Sequence, residues 1–218
     1  YHTCAVLNTG AVKCWGNNDN GQLGDSSTVQ SLTPVSVPSL SSGVTAIAAG
    51  RYHACAVLNT GAVKCWGWNL YGQLGDGSTI QSLTPVSVPS LSSGVTAIAA
   101  GERHTCALLS TGAVKCWGYN DNGQLGDGSA ASVTPRTTPV DVSTLSSGVT
   151  AIAAGRYHAC ALLSTGAVKC WGKNTSGQLG DGSTVQSLTP VSVPSLSSGV
   201  IAIAAGSYHT CAVLNTGA

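Results

Sequence analysis

Short apolar runs separated by tight polar turns recur along the whole chain, and the recurrence is its dominant signal. In the first copy, Thr3-Cys4-Ala5-Val6-Leu7 meets the turn Asn8-Thr9-Gly10 and returns as Ala11-Val12-Lys13-Cys14-Trp15. Two such runs around a three-residue turn predict a β-hairpin, and Gly10 suits the left-handed position that ends such a loop. The loop pairs Leu7 with Ala11, Val6 with Val12, Ala5 with Lys13 and Cys4 with Cys14. Counted outward from a hydrogen-bonded closing pair, Cys4 and Cys14 fall on a non-hydrogen-bonded pair. Such pairs have Cα atoms about 4.5 Å apart, within reach of a disulfide.

After the hairpin, Gly16 to Asp25 is dense in Gly, Asn and Asp and predicts a turn system. Thr33-Pro34-Val35-Ser36-Val37 predicts a short strand with proline at its start or on an edge. Ser39-Leu40-Ser41-Ser42-Gly43 is the next turn. Val44 to Gly50 is a strand of small residues, suited to a crowded place such as the inner strand of a propeller blade. The period is 51, giving repeats at 1–51, 52–102, 103–156 and 157–207 within one repeat domain spanning 1–218. Residues 208–218 then repeat 1–11 letter for letter. The third copy has three extra residues around Ser129–Thr144, with Pro135 and Pro139 bracketing Arg136, and predicts a longer outer loop. Four strands per period of about fifty residues predict an all-β fold, a β-propeller of four-stranded blades.

Composition agrees with this and narrows the functions. Glycine is abundant at 28 of 218 residues, and no helix-period stretch with caps occurs. Only 8% of residues are charged, with a net charge of +1, so no electrostatic footprint for nucleic acid or an anionic membrane is visible. No apolar run approaches the roughly 20 residues of a membrane helix. No nucleic-acid partner, membrane insertion, metal or cofactor is expected, and a small-molecule ligand is left open.

Eight of the nine cysteines stand in pairs ten apart: Cys4 with Cys14, Cys55 with Cys65, Cys106 with Cys116, and Cys160 with Cys170. Disulfides are the favoured reading, which places the chain in an extracellular or cell-surface setting. Buried free thiols and a zinc site are the alternatives, although the spacing lacks a zinc knuckle.

The run GxxHTCALL…TGAVKCWGxNxxGQLGDG…PVxV…VxAIAAG resembles the regulator of chromosome condensation repeat family over the whole chain. Gly50, His53, Cys55, Trp66, Gly67, Asn69, Gly72, Gln73, Leu74 and Gly75 all stand in register with its motif. The resemblance implies a propeller, usually seven-bladed. Founding members bind chromatin and act as nucleotide exchange factors on a small GTPase. That function is not carried over, because no basic arm is visible and disulfides do not suit a nucleus. Paired cysteines followed by Trp resemble the secreted bacterial branch, one member of which inhibits β-lactamases through loops on one propeller face. Four and a fraction repeats, a duplicated end strand and the unpartnered Cys211 lead us to expect part of a larger propeller, or a piece that closes with another chain, not a closed four-bladed monomer.

Recurring polar residues supply the candidate chemistry. His2, His53, His104, His158 and His209 are expected to tether the loop before each hairpin by bonding its backbone, in preference to ringing the channel as metal ligands. Asp25, Asp76, Asp127 and Asp181 lack the ligand pattern of a calcium loop. No asymmetric catalytic constellation stands out, so the chain is not expected to be an enzyme. Asn174-Thr175-Ser176 is a glycosylation sequon.

Two segments differ between the repeats. One is the pair before each His: Arg51-Tyr52, Glu102-Arg103, Arg156-Tyr157 and Ser207-Tyr208. The other follows Trp-Gly and holds Trp68, Leu70, Tyr71, Tyr119, Asp121 and Lys173. Strand tracing puts both on one face. The expectation is a binding face with Trp68, Leu70 and Tyr71 at its centre. Tyr119, Asp121 and Lys173 lie on the same face, and Arg51, Glu102, Arg103 and Arg156 form a charged rim. The expected role is an extracellular scaffold that binds a protein or self-associates. A self-assembling surface or fibre component and an enzyme working at the channel are the alternatives.

Overall fold

A computed structural model describes residues 1–129 and 132–217. Its strands are β1 (His2–Val6), β2 (Val12–Gly16), β3 (Ser31–Ser36), β4 (Val44–Ala49), β5 (His53–Leu58), β6 (Val63–Gly67) and β7 (Ser82–Ser87). They continue as β8 (Val95–Ala100), β9 (His104–Leu109), β10 (Val114–Asn120), β11 (Ser132–Asp141) and β12 (Val149–Ala154). The last are β13 (His158–Leu163), β14 (Val168–Gly172), β15 (Ser187–Ser192), β16 (Val200–Ala205) and β17 (Thr210–Leu214). Three complete antiparallel sheets, β4-β5-β6-β7, β8-β9-β10-β11 and β12-β13-β14-β15, form blades. A three-stranded sheet, β1-β2-β3, precedes them and a two-stranded one, β16-β17, follows. Each complete blade takes its inner strand from one 51-residue period and its other strands from the next. Among the described residues β1 pairs only with β2 and β17 only with β16, so the first and last sheets are not joined.

The hairpins form in the expected register. Cys4 stands opposite Cys14, Cys55 opposite Cys65, Cys106 opposite Cys116 and Cys160 opposite Cys170. Each of these pairs is a disulfide, with Cα atoms 4.0 to 4.1 Å apart. Cys211 is free and exposed. On the outer side a regular ladder does not continue past the second cysteine of each pair. The register against the outer strand shifts after Cys14, Cys65, Cys116 and Cys170, and in the third copy it shifts again after Gly118. Cys116 therefore faces Val140, whereas Gly118, two residues on, faces Arg136. The same four-residue step occurs on the outer strand of every copy, so the third copy's insertion is taken up by the second shift, after Gly118, and Cys116 itself stays wholly buried in the core.

The hairpin turn is held by the turn behind it. Gly61 has φ +77°, and a Cβ there would lie 2.5 Å from the Gly94 nitrogen. Only glycine satisfies both demands.

The small-residue strands line the channel, with Ala49, Ala100, Ala154 and Ala205 beside Gly50, Gly101, Gly155 and Gly206. A Cβ on Gly101 would come within 2.2 Å of His104 Cε1 and 2.7 Å of the Gly155 carbonyl. The third copy does not make the longer loop expected from its insertion. Its outer strand is lengthened to Ser132–Asp141 and pairs with β10 across a second register shift, after Gly118, that the other copies lack. Because β11 is an edge strand, Pro135 and Pro139 remove no central ladder bond. The backbone of Thr137 also supports the preceding blade: a Cβ on Gly72 would lie 2.7 Å from its Cα.

The core lies between blades. One cluster joins Cys55, Val57, Val63, Cys65, Leu74, Val88 and Leu91 to Val95, Ala107 and Trp117 of the next blade. The next seam repeats it, joining Cys106, Cys116 and Leu125 to Ala161 and Trp171. Trp117 is wholly buried, and its Nε1 donates to the Gln73 carbonyl of the preceding blade at 2.8 Å. Trp66 and Trp171 do the same to the Gln22 and Gln124 carbonyls, at 2.9 and 3.0 Å. Gly75 lets the ring approach, since a Cβ would sit 2.7 Å from Trp117 Nε1.

The histidines act differently from expectation. The loop before each hairpin is tethered by the histidine's backbone, as in Gly50 N–H donating to the His53 carbonyl at 2.9 Å. The imidazole instead reaches the next blade. His53 Nε2 lies 2.8 Å from Thr105 Oγ1, and that hydroxyl donates to the Gln73 carbonyl at 2.9 Å. With the hydroxyl proton committed, His53 Nε2 is the donor of the first bond. His158 and Thr210 repeat the pattern at 3.0 Å. His104 has Ala159 where Thr105 would stand, and both of its buried ring nitrogens lack a protein partner.

This difference yields a prediction. Ala159 and Thr105 occupy the same register, opposite Trp171 and Trp117. Ala159→Thr supplies the missing hydroxyl to His104 and to the Gln124 carbonyl, and should raise stability by about 1 kcal/mol. Thermal denaturation measures it; a lowered midpoint would show that the site lacks the room it has around Thr105.

Candidate binding face

Both variable segments leave their strands at the same end of each sheet. The loop from β4 to β5 carries Arg51 and Tyr52, and the loop after β6 carries Trp68 to Tyr71. Trp68 N–H donates to the Tyr52 carbonyl at 2.9 Å, which joins the two loops. The hairpin turns and the Leu-Ser-Ser-Gly turns meet at the opposite end, where Asn59 N–H donates to the Gly43 carbonyl at 2.7 Å.

The second loop is braced from within by residues common to every repeat. Asn69 is fully buried; its Oδ1 accepts from Leu74 N–H at 2.9 Å, and its Nδ2 donates toward Asp76, Ser78 and Ile80. Asp76 Oδ1 also accepts from Ser78 N–H at 2.9 Å. The repeated aspartates are therefore turn residues, and no group of three or more His, Cys, Asp or Glu among the described residues is placed to hold a metal. Asn174 holds the equivalent buried position, with its Nδ2 donating to Asp181 and to the Ser183 and Val185 carbonyls. The folded chain leaves no access for a glycan at that sequon.

On this frame the aromatic side chains form a continuous row. Tyr1, Tyr52, Trp68, Tyr71, Tyr119 and Tyr157 follow one another with ring centroids 4.6 to 6.4 Å apart. Trp68 stands edge-on between Tyr52 and Tyr71 and is half-buried, as is Tyr71. Leu70 remains 55% exposed. Tyr119 donates to Asp121 at 3.0 Å, and Lys173 Nζ lies 5.4 Å from the Tyr157 ring centre. Tyr1, Tyr52, Tyr157 and Tyr208 are not among the site residues expected from the sequence. Their signal there is their place in the variable pair before each His.

Glu102 requires a correction, because it is not part of an exposed rim. It is 2% exposed and sits among three guanidiniums. Arg51 Nη1 donates to its Oε2 at 2.6 Å, Arg156 Nε donates to the same oxygen, and Tyr157 donates to Oε1 at 2.7 Å. Burial pushes its pKa up, but the hydrogen bonds from Tyr157, Arg51 and Arg156 outweigh it and hold the carboxyl below its ordinary value. Arg51, Arg103 and Arg156 keep 27 to 29% of their side chains exposed.

The RCC1-like domain profile matches residues 1–218. The chain belongs to the RCC1-like family. It is 35% identical over 217 residues to the ultraviolet-B receptor UVR8 of Arabidopsis thaliana, covering 97% of this chain and 48% of that protein. It is 34% identical over 220 residues to the probable E3 ubiquitin-protein ligase HERC6 of Homo sapiens, covering 99% of this chain and 22% of that one. The structure of yeast RCC1 (Prp20) bound to Kap60 superposes with a TM-score of 0.82 at 22% identity, covering 96% of this chain and 51% of that one. The RCC1-like chain thus has the RCC1 β-propeller architecture. It spans about half the length of UVR8 and a smaller share of HERC6.

Burial makes this RCC1-like chain acid-sensitive. It lowers the pKa of His53 and His104 to about 3 and that of His158 to about 4. The unfolded chain protonates these groups below about pH 6.5, while the folded chain keeps them neutral. Their contribution is therefore complete above pH 6.5 and declines as the pH falls toward 3 to 4, by about 1.4 kcal/mol per pH unit for each histidine. Glu102, with its lowered pKa, adds a loss in the same direction below its ordinary range. Urea unfolding at pH 7 and pH 5 tests this: the midpoint should fall clearly, and an unchanged midpoint would refute it.

Proposed function

We propose that this chain is a scaffold that binds another protein through the variable-loop face, in an extracellular or cell-surface setting. The carrying observation is the asymmetry between the two ends of the blades. The nearly constant turns at one end are locked by backbone packing, as at Gly61 against Gly94. The loops that differ between repeats gather at the other end, on a braced frame that displays Leu70 beside Trp68 and Tyr71. Aromatic anchors in a polar surround are the usual composition of a protein-binding hot spot.

The four disulfides support an oxidising compartment. Yeast RCC1, of the same architecture, has been solved bound to Kap60, which supports protein binding as a use of this fold. The reading assigns the chain no catalytic role. The buried carboxylate at the channel mouth is paired with Arg51 and Arg156 and accepts from Tyr157, an arrangement that holds loops together.

Capture from the native secreted or surface-protein fraction, read by mass spectrometry, tests the proposal. Leu70→Ser should lower recovery of the bound protein at least tenfold, about 1.4 kcal/mol, with the thermal midpoint unchanged. Ser93→Arg, in the exposed constant turn of the other face, should have no effect. Equal losses from both variants, or none from Leu70→Ser, would refute it. Recovery of a second copy of the chain would make the contact a self-association.

A further inference from the structure

Residues 51, 102 and 156 stand at equivalent positions around the channel mouth and carry Arg, Glu and Arg. They line a funnel of about 540 Å³ whose floor is built from the alanines and glycines of the inner strands. Glu102 is the single carboxylate among the lining residues, and its hydrogen bonds within the cluster are already made. Arg103 Nε lies 3.3 Å from its Oε1. Arg51 and Arg156 against Glu102 leave the lining with one net positive charge, and Arg103 beside it adds a second.

Each aromatic ring of the face has a guanidinium beside it. Arg51 lies over Tyr1 and Tyr52 at 5.0 and 4.9 Å, and Arg156 over Tyr157 and Tyr208 at 5.0 and 5.5 Å. Arg103 lies over Trp68, Tyr71 and Tyr119 at 5.2 to 5.7 Å. What the mouth presents outward is guanidinium: Arg51 Nη2 and Arg156 Nη1 each give one N–H to the hydroxyls of Tyr1 and Tyr208, and each has a second N–H to offer a carboxylate. Glu102 shows the geometry in use, a carboxylate seated between Arg51 and Arg156.

We infer that the funnel recognises an acidic segment of a partner polypeptide, with an Asp or Glu side chain seated at the outer edges of Arg51 and Arg156. This rests on the variable-loop face being the binding face, and it adds the partner's chemistry. Leu70, further out on the same face, offers the segment an apolar contact.

Fluorescence anisotropy with a labelled hexaglutamate peptide and its hexaglutamine counterpart tests the inference. Hexaglutamate should bind at least tenfold more tightly, about 1.4 kcal/mol, and weaken as salt screens the mouth. Arg156→Gln and Arg51→Gln should each weaken its binding severalfold. Glu102→Gln should strengthen it, because the mouth gains net positive charge. Thermal midpoints confirm that each variant is folded. Equal affinity for the two peptides, binding of neither, or weakening by Glu102→Gln as well would overturn the inference. The face reading stands apart: capture that depends on Leu70 alongside equal peptide affinities would sink the acidic partner and keep the face.

Discussion

A single backbone carbonyl holds each blade to the next, and the rest of the structure depends on it. The Gln73 carbonyl accepts from Trp117 Nε1 and from Thr105 Oγ1, both of the following blade. Buried in an apolar cluster, it must be paired or cost a few kcal/mol. The requirement propagates outward. Gly75 must be glycine for the indole to reach, and Leu74 is buried in the same apolar cluster as the ring. Gln73 itself accepts the Tyr71 N–H through its side chain, so the residue that supplies the latch also shapes the binding loop.

Joining blades this way confines the demand for identity to the seams. Residues that touch a neighbouring blade recur in every copy, because each seam poses the same packing problem. The hairpin turns recur as well, since they are wedged against the turns behind them. Only the ends of the loops above the channel escape both constraints. Variation there costs the fold little, because the buried asparagine beneath fixes the loop whatever its tip carries. A rigid frame with a free tip is a good display for recognition, since little conformational entropy remains to be lost on binding.

The channel mouth follows a different principle. Glu102 joins loops of three successive blades through Arg51 and Arg156, and its burial is tolerable only because several donors face it. The arginines in turn lie over tyrosines and a tryptophan, which holds their guanidinium planes while leaving edges toward solvent. The cluster therefore ties the blades together from above and sets the charge of the surface a partner meets.

The sequence by itself determined whatever depends on neighbours within about a dozen residues. The hairpins, their register, the four cysteine pairs, the glycine turns and the period were all legible, and with the period came the propeller. The two variable segments were legible too, and strand direction alone brought them to one end. What only the tertiary structure decided are the contacts between copies. His53 meets Thr105, which lies 52 residues further on, and no local pattern announces that an imidazole will bond a hydroxyl in the next blade instead of its own loop. The insertion near Arg136 became strand and not loop, taken up by an additional register shift beyond Gly118 that lets the longer strand stay paired with β10. Glu102 looked like a rim charge, and it is buried because flanking loops, each some fifty residues away along the chain, deliver two arginines to it. Local rules act along the chain, whereas burial and pairing of a charge depend on which distant blades the fold sets side by side.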